Sequence, residues 1–167
     1  MTRKLILFVA VAWAVFAPPA SGTARAAADW TWPVVGSVIR DFDPPDTPFG
    51  SGHRGIDIAA PVGTPVRVAA GGLVTFAGPV GGRLFLTIDH GAGLESRYSF
   101  LSALAARRGD SVAAGQVVAR SGTGHAGDLV PNLHFAVLLR DAYVDPLDYL
   151  GAIEVWRFIR LAPLDSG

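Results

Sequence analysis

The sequence predicts an all-β fold, a sandwich or a barrel, and three observations carry that prediction. Runs of about four to eight residues rich in Val, Ile, Leu and Phe recur along the chain. Clusters of Gly, Pro and Asp end each run within a short distance. No long stretch holds a helical period, and short strands at close spacing between turn residues are the makings of a stacked or closed antiparallel sheet.

Taken in order, the first element is not part of that sheet. Arg3 and Lys4 precede an uninterrupted apolar run of 13 residues, Leu5 to Ala17; Pro18 and Pro19 end it, and small residues lead to Ala26-Ala27-Ala28. This is the order of a cleavable secretory signal peptide, expected over residues 1–28. The run is shorter than the roughly 17–25 residues of a membrane-crossing helix, so no stable span is expected after cleavage. The mature chain then starts at Asp29, and a secreted or cell-envelope location follows.

From Asp29 on, strands are expected at Val38–Phe42, Gly55–Ala59, Pro65–Val68, Leu73–Phe76, Leu84–Asp89, Leu94–Phe100, Gln116–Arg120 and Leu133–Leu139. Turns are expected at Pro61-Val62-Gly63, Gly71-Gly72, Gly78-Pro79, Gly81-Gly82, Gly91-Ala92-Gly93 and Gly109-Asp110. The helical candidates are a short turn near Leu101–Arg107 and another at Pro146–Leu150. Gly63–Val74 and Gly109–Ala119 look alike, as if a hairpin unit had been duplicated. Residues 153–167 are set apart as a C-terminal tail, with Ile153–Leu161 compatible with a strand or an irregular arm. The domain proper is expected over residues 29–152.

Composition excludes several functions. Of the 14 basic residues, Arg3, Lys4 and Arg25 fall in the leader, which holds none of the 14 acidic residues, so the mature chain is net −3. It has no basic run and nucleic acid is not an expected partner. There is no Cys, so an exported chain must rely on its core or a metal rather than on disulfides. Paired Gly-bounded hairpins also occur in biotinyl and lipoyl carrier domains, but those need a modifiable Lys, and the single Lys of this chain lies in the leader. Gly122-Thr123-Gly124-His125-Ala126-Gly127 matches G-x-G-x-x-G in form only: Pro131 and a strand follow where a dinucleotide site needs a helix.

The residues that carry chemistry are His53, Asp57 and His134. On strands, alternate residues share a face. His53, Gly55 and Asp57 then point one way and Ile56 and Ile58 the other; Asn132, His134 and Ala136 oppose Leu133, Phe135 and Val137. Two such strands side by side would gather the three polar side chains above a packed sheet, with Gly55 leaving room between them. Three protein ligands and an open position are the coordination of a catalytic zinc. A core histidine with a surface ion pair accounts for the same residues.

The surrounding motifs discriminate between these. Gly52–Val66 (GHRGIDIAAPVGTPV), Ala70–Val74, Asp89–Leu94, Tyr98, Gly109–Gln116 and Asn132-Leu133-His134-Phe135 follow one another in the order and spacing of the LytM and lysostaphin-like peptidoglycan zinc peptidases, which this chain resembles from about Trp32 to Leu150. The resemblance implies an antiparallel β-sandwich, a Zn²⁺ ion on His53, Asp57 and His134, and peptidoglycan stem peptides or cross-bridges as partners. It also places Tyr98 and Asn132 at the cleft floor as substrate contacts. The departures are equally specific. Where the family has Tyr-x-His-Leu and H-L-H, this chain has Phe100 and Asn132, so its catalytic residues are unassigned. Phe100 has no polar group, and Asn132 does not titrate near neutral pH. Loss of one positioned acid or base lowers a rate by about 10²–10⁴.

Three readings follow: a zinc-binding, catalytically impaired domain that binds the wall or regulates a wall hydrolase; an active endopeptidase with a non-standard base, for which His125 is the candidate; or a wall module in which metal only stabilises the fold. His90, in a strand-end turn, is read as a packing or backbone-bonding residue. N-terminal sequencing of the protein recovered from the cell envelope is expected to start at or near Asp29; recovery of Met1 or Thr2 would mean that the apolar run is kept as an anchor.

Overall fold

The computed structural model describes residues 30–47 and 49–151. The expected leader at 1–28 and the tail at 153–167 lie outside them. Ten strands make up nearly all of the regular structure: β1 (Val38–Arg40), β2 (Ile56–Ala59), β3 (Pro65–Arg67), β4 (Gly72–Val80), β5 (Arg83–Asp89), β6 (Leu94–Leu104), β7 (Ser111–Val112), β8 (Val117–Ser121), β9 (Asn132–Leu139) and β10 (Ala142–Val144). One 3-10 turn, Pro146–Asp148, follows them; its start is capped by the Asp145 carboxylate, which accepts from the Leu147 N–H. All strand pairs are antiparallel and run in the order β1-β2-β9-β6-β5-β4-β7, with β10 on β9 and β8 joining β3 to β6. No helix among the described residues is long and apolar enough to cross a membrane.

Alternation of side chains explains why the sheet has one dry face. Ile56 and Ile58 of β2, Leu133, Phe135 and Val137 of β9, Leu86 and Ile88 of β5, and Val66 of β3 are all fully buried in one cluster. Trp30 packs at its edge, and a bridge from Trp30 to Leu150, with Trp32 Nε1 donating to the Gly151 carbonyl at 2.7 Å, ties the two ends of the described segment together.

The centre of the architecture is β6. Along one side it pairs with β5; along the other it pairs with β9 as far as Ser99 and with β8 from Leu101 onward. The change of partner falls at Phe100, whose φ of 61° lies in the left-handed region. A non-glycine residue there carries strain, and the local twist breaks the alternation of the strand. Gly122 permits the close approach on the β8 side: a Cβ at that position would run into the Phe100 carbonyl oxygen.

The expected strands are all present; β1 ends two residues early, at Arg40, and the larger differences are in β4 and β6. β4 continues through Gly78 and Pro79, and the reversal comes at Gly81-Gly82, whose φ values of 58° and 78° suit a two-residue hairpin turn. The stretch 101–107, a candidate for a short helical turn, instead prolongs β6 to Leu104. Leu101 is buried and pairs with Ser121, so sheet pairing overrides local propensity. The two look-alike segments face one another: Gly72 and Leu73 pair with Val112 and Ser111, and Pro65 and Val66 pair with Arg120 and Ala119.

Candidate metal centre

Asp57 on β2 pairs directly with His134 on β9, both on the face opposite the core isoleucines. Their side chains meet, with His134 Nδ1 2.8 Å from Asp57 Oδ1. His53 arrives from the loop before β2, held by a bridge to Asp43. Its Nε2 lies 3.1 Å from Asp57 Oδ1 and 3.0 Å from His134 Nδ1. Its other nitrogen, Nδ1, donates to the Asp41 carbonyl at 2.7 Å, which leaves Nε2 as the nitrogen with a free lone pair. Gly55 makes the convergence possible, since a Cβ there would strike the Phe135 carbonyl oxygen and press on the His134 ring. The structure thus brings His53, Asp57 and His134 together.

A fourth side chain joins them. His125, from the glycine-rich loop before β9, places Nε2 3.3 Å from both Asp57 Oδ1 and His134 Nδ1. One donor atom from each of the four residues lies within 4.8 Å of all the others. Nitrogen and oxygen donors about 2.0–2.2 Å from a tetrahedral zinc sit roughly 3.3–3.6 Å from one another. Five of the six separations among these donors are 2.8–3.3 Å and approach this spacing, and all lie within 4.8 Å, so the donor set fits a small divalent cation.

The electrostatics agree. Asp57 is 2% exposed and His53 3%. Burial pushes the Asp57 carboxyl up, but bonding to His134 and His53 and their charges outweigh it and hold the group well below the usual carboxylate range. It is therefore an ionised ligand in waiting. Burial lowers the pKa of His125, which favours a neutral imidazole with a lone pair to give.

Phe100 and Asn132 sit on either side of His125 in different ways. The Phe100 ring lies edge-on to the His125 ring at a centroid distance of 4.5 Å. Asn132 is 1% exposed, its amide donating to Asp128 Oδ2 and the Val130 carbonyl, with Gly124 packed over it. It is therefore covered by the loop and does not form the open cleft floor expected of a substrate contact. Tyr98 also departs from that expectation. It pairs with Phe135, is completely buried, and receives the Ala69 N–H at 2.9 Å; burial pushes its hydroxyl up to about 12. Ser99, not Tyr98, faces His134, so strand alternation turns Tyr98 into the core. His90 donates from Nδ1 to the Gly71 carbonyl at 2.9 Å and approaches Ser96 Oγ at 2.8 Å, away from the centre.

Outside the cluster an open cleft of about 360 Å³ is lined by Arg40, Arg54, Arg97 and Tyr143 together with His53, Phe100, His125 and His134. Arg97 donates to the Tyr143 hydroxyl at 3.1 Å and pairs with Glu95 at 3.2 Å. These rim residues come from four separate elements and had no signature in the sequence.

An antiparallel β fold with a buried His/Asp/His cluster at the base of an open cleft is the architecture of a metallopeptidase domain. Residues 51–146 match Peptidase family M23, and the chain belongs to that family. It is 35% identical over 123 residues to the uncharacterized lipoprotein YgeR of Escherichia coli K12, covering 72% of this chain and 47% of that protein. A zinc-containing peptidase from Vibrio cholerae superposes with a TM-score of 0.60 at 30% identity, over 71% of this chain and 39% of that one. The catalytic domain of lysostaphin from Staphylococcus simulans gives 0.58 at 25% identity, over 67% of this chain and 90% of that one. The fold is thus of the LytM and lysostaphin-like type, and the chain spans about half the length of the curated relatives it matches first.

Replacing Tyr98 by Phe strands the buried Ala69 N–H, and stability is expected to fall by about 1–3 kcal/mol in denaturant unfolding. Metal content should be unchanged, as befits a core residue; a loss of metal without a loss of stability would return Tyr98 to the site.

Proposed function

We propose that this chain is an exported, zinc-binding M23 domain that grips peptidoglycan stem peptides or cross-bridges at the cell wall with little or no hydrolysis, serving wall binding or control of a wall hydrolase. The carrying observation is the pair of residues that stand where the resembled peptidases keep their proton-handling histidines. The Phe100 ring packs beside the cluster and has no proton to move. The Asn132 amide is covered and engaged with Asp128 and Val130.

The remaining residues support binding. His53, Asp57 and His134 would hold the ion, with the Asp41 carbonyl fixing the tautomer of His53. Arg40, Arg54 and Arg97 on the cleft rim complement the carboxylates of a stem peptide, and Tyr143 offers an aromatic face and a hydroxyl. Export is supported by the basic, apolar and small-residue order of the first 28 residues and by the lipoprotein name of YgeR.

Purified protein is expected to contain stoichiometric zinc by elemental analysis, and His134→Ala to lose it while remaining folded. Undiminished zinc in that variant would displace the ligand assignment. In a turbidity assay on purified walls the parent is expected to show little or no clearing, with retention of the protein on the walls in a pull-down. Clearing that a chelator stops would overturn the impaired reading.

A further inference from the structure

Phe100, Asn132 and His125 form a single device. Phe100 and Asn132 do more than lack titratable groups: both hold the loop that carries His125. The Phe100 ring packs edge-on against the His125 imidazole at 4.5 Å. Arg83 clamps the outside of this pair, its guanidinium 4.9 Å above the Phe100 ring and its Nη1 donating to the Gly124 carbonyl at 2.6 Å. From the other side, Asp128 Oδ2 accepts both the His125 backbone N–H at 2.6 Å and the Asn132 amide at 2.8 Å. Gly124, at a φ of 83°, lies so close over Asn132 that no side chain would fit between them. The loop is thereby fastened at residues 124, 125 and 128.

The fastened loop delivers His125 Nε2 to 3.3 Å from Asp57 Oδ1 and 3.3 Å from His134 Nδ1. That is the spacing of neighbouring donors around one tetrahedral ion, and it sets the nitrogen beside Asp57 and His134 at the base of the cleft. Resting on the proposed zinc site, we infer that His125 is the fourth protein ligand and closes the coordination sphere, leaving no position for substrate. The centre is then a closed His₃Asp site of structural type. Phe100, Arg83 and Asn132 are positioning residues for that ligand.

The test uses the full mature protein, stripped with a chelator and reloaded with Co²⁺, with azide as the probe for an open position. In the parent the visible spectrum is expected to be that of a four-coordinate ion and to stay unchanged on addition of azide. In His125→Ala the spectrum should shift with azide, and zinc should be lost to a competing chelator at least about tenfold more readily. Phe100→Ala, which keeps all four donors but removes the packing, should fall between the two. The parent measurement needs no substitution, so a variant that failed to fold would not shield the inference. A parent spectrum that responds to azide would overturn the closure while leaving the zinc site standing. A parent that takes up neither Co²⁺ nor Zn²⁺ would overturn both.

Discussion

Asp57 and His134 face each other across the β2–β9 ladder although they lie 77 residues apart in sequence, and the rest of the centre is arranged around that pair. The register is fixed from the opposite face. Ile56, Ile58, Leu133 and Phe135 are all buried, and a slip of β2 by one residue would turn Ile56 and Ile58 toward the cleft and put Asp57 into the hydrocarbon core. The positions of two donors are therefore a by-product of hydrophobic packing. Gly55 adds the steric condition, and the Asp43 bridge carries His53 to the same point.

Three imidazoles gathered on one buried carboxylate are an unusual use of an interior. An ionised Asp costs several kcal/mol to bury without compensation. Here the compensation comes from ring nitrogens that all approach the same oxygen, Oδ1. The four donors converge on one point, where a divalent cation would offset the buried carboxylate.

The sheet was largely legible because one of its faces is dry: alternation of Ile, Leu, Val and Phe with smaller or polar residues marks a strand directly. β7 and β10, of two and three residues, are too short to carry a period. The strand from Leu101 onward, where a short helical turn was a candidate, is set by its partner β8, which is invisible from local sequence. At the centre, His53, Asp57 and His134 were readable from spacing and motif. Tyr98 and Asn132 were given to the cleft because a motif conveys neighbourhood but not direction. Tyr98 turns inward by strand parity, and Asn132 is roofed by a loop whose path no local pattern encodes. The same loop explains why His125 could be noticed but not assigned.

Gly124 packed on Asn132 also bears on how such a chain could change. An imidazole carries more atoms than a carboxamide, and the space above residue 132 is already filled by the Gly124 backbone. A histidine entering at 132 would have to lift the loop, breaking the Asn132–Asp128 contact and disturbing the Arg83 clamp on Gly124. Position 100 is held in a similar way by its ring contacts with Phe85, His125 and Arg83. Each of the two residues is packed into the surroundings of the other's loop. A change at either place alone would therefore disturb the packing that holds the His125 loop against the cluster.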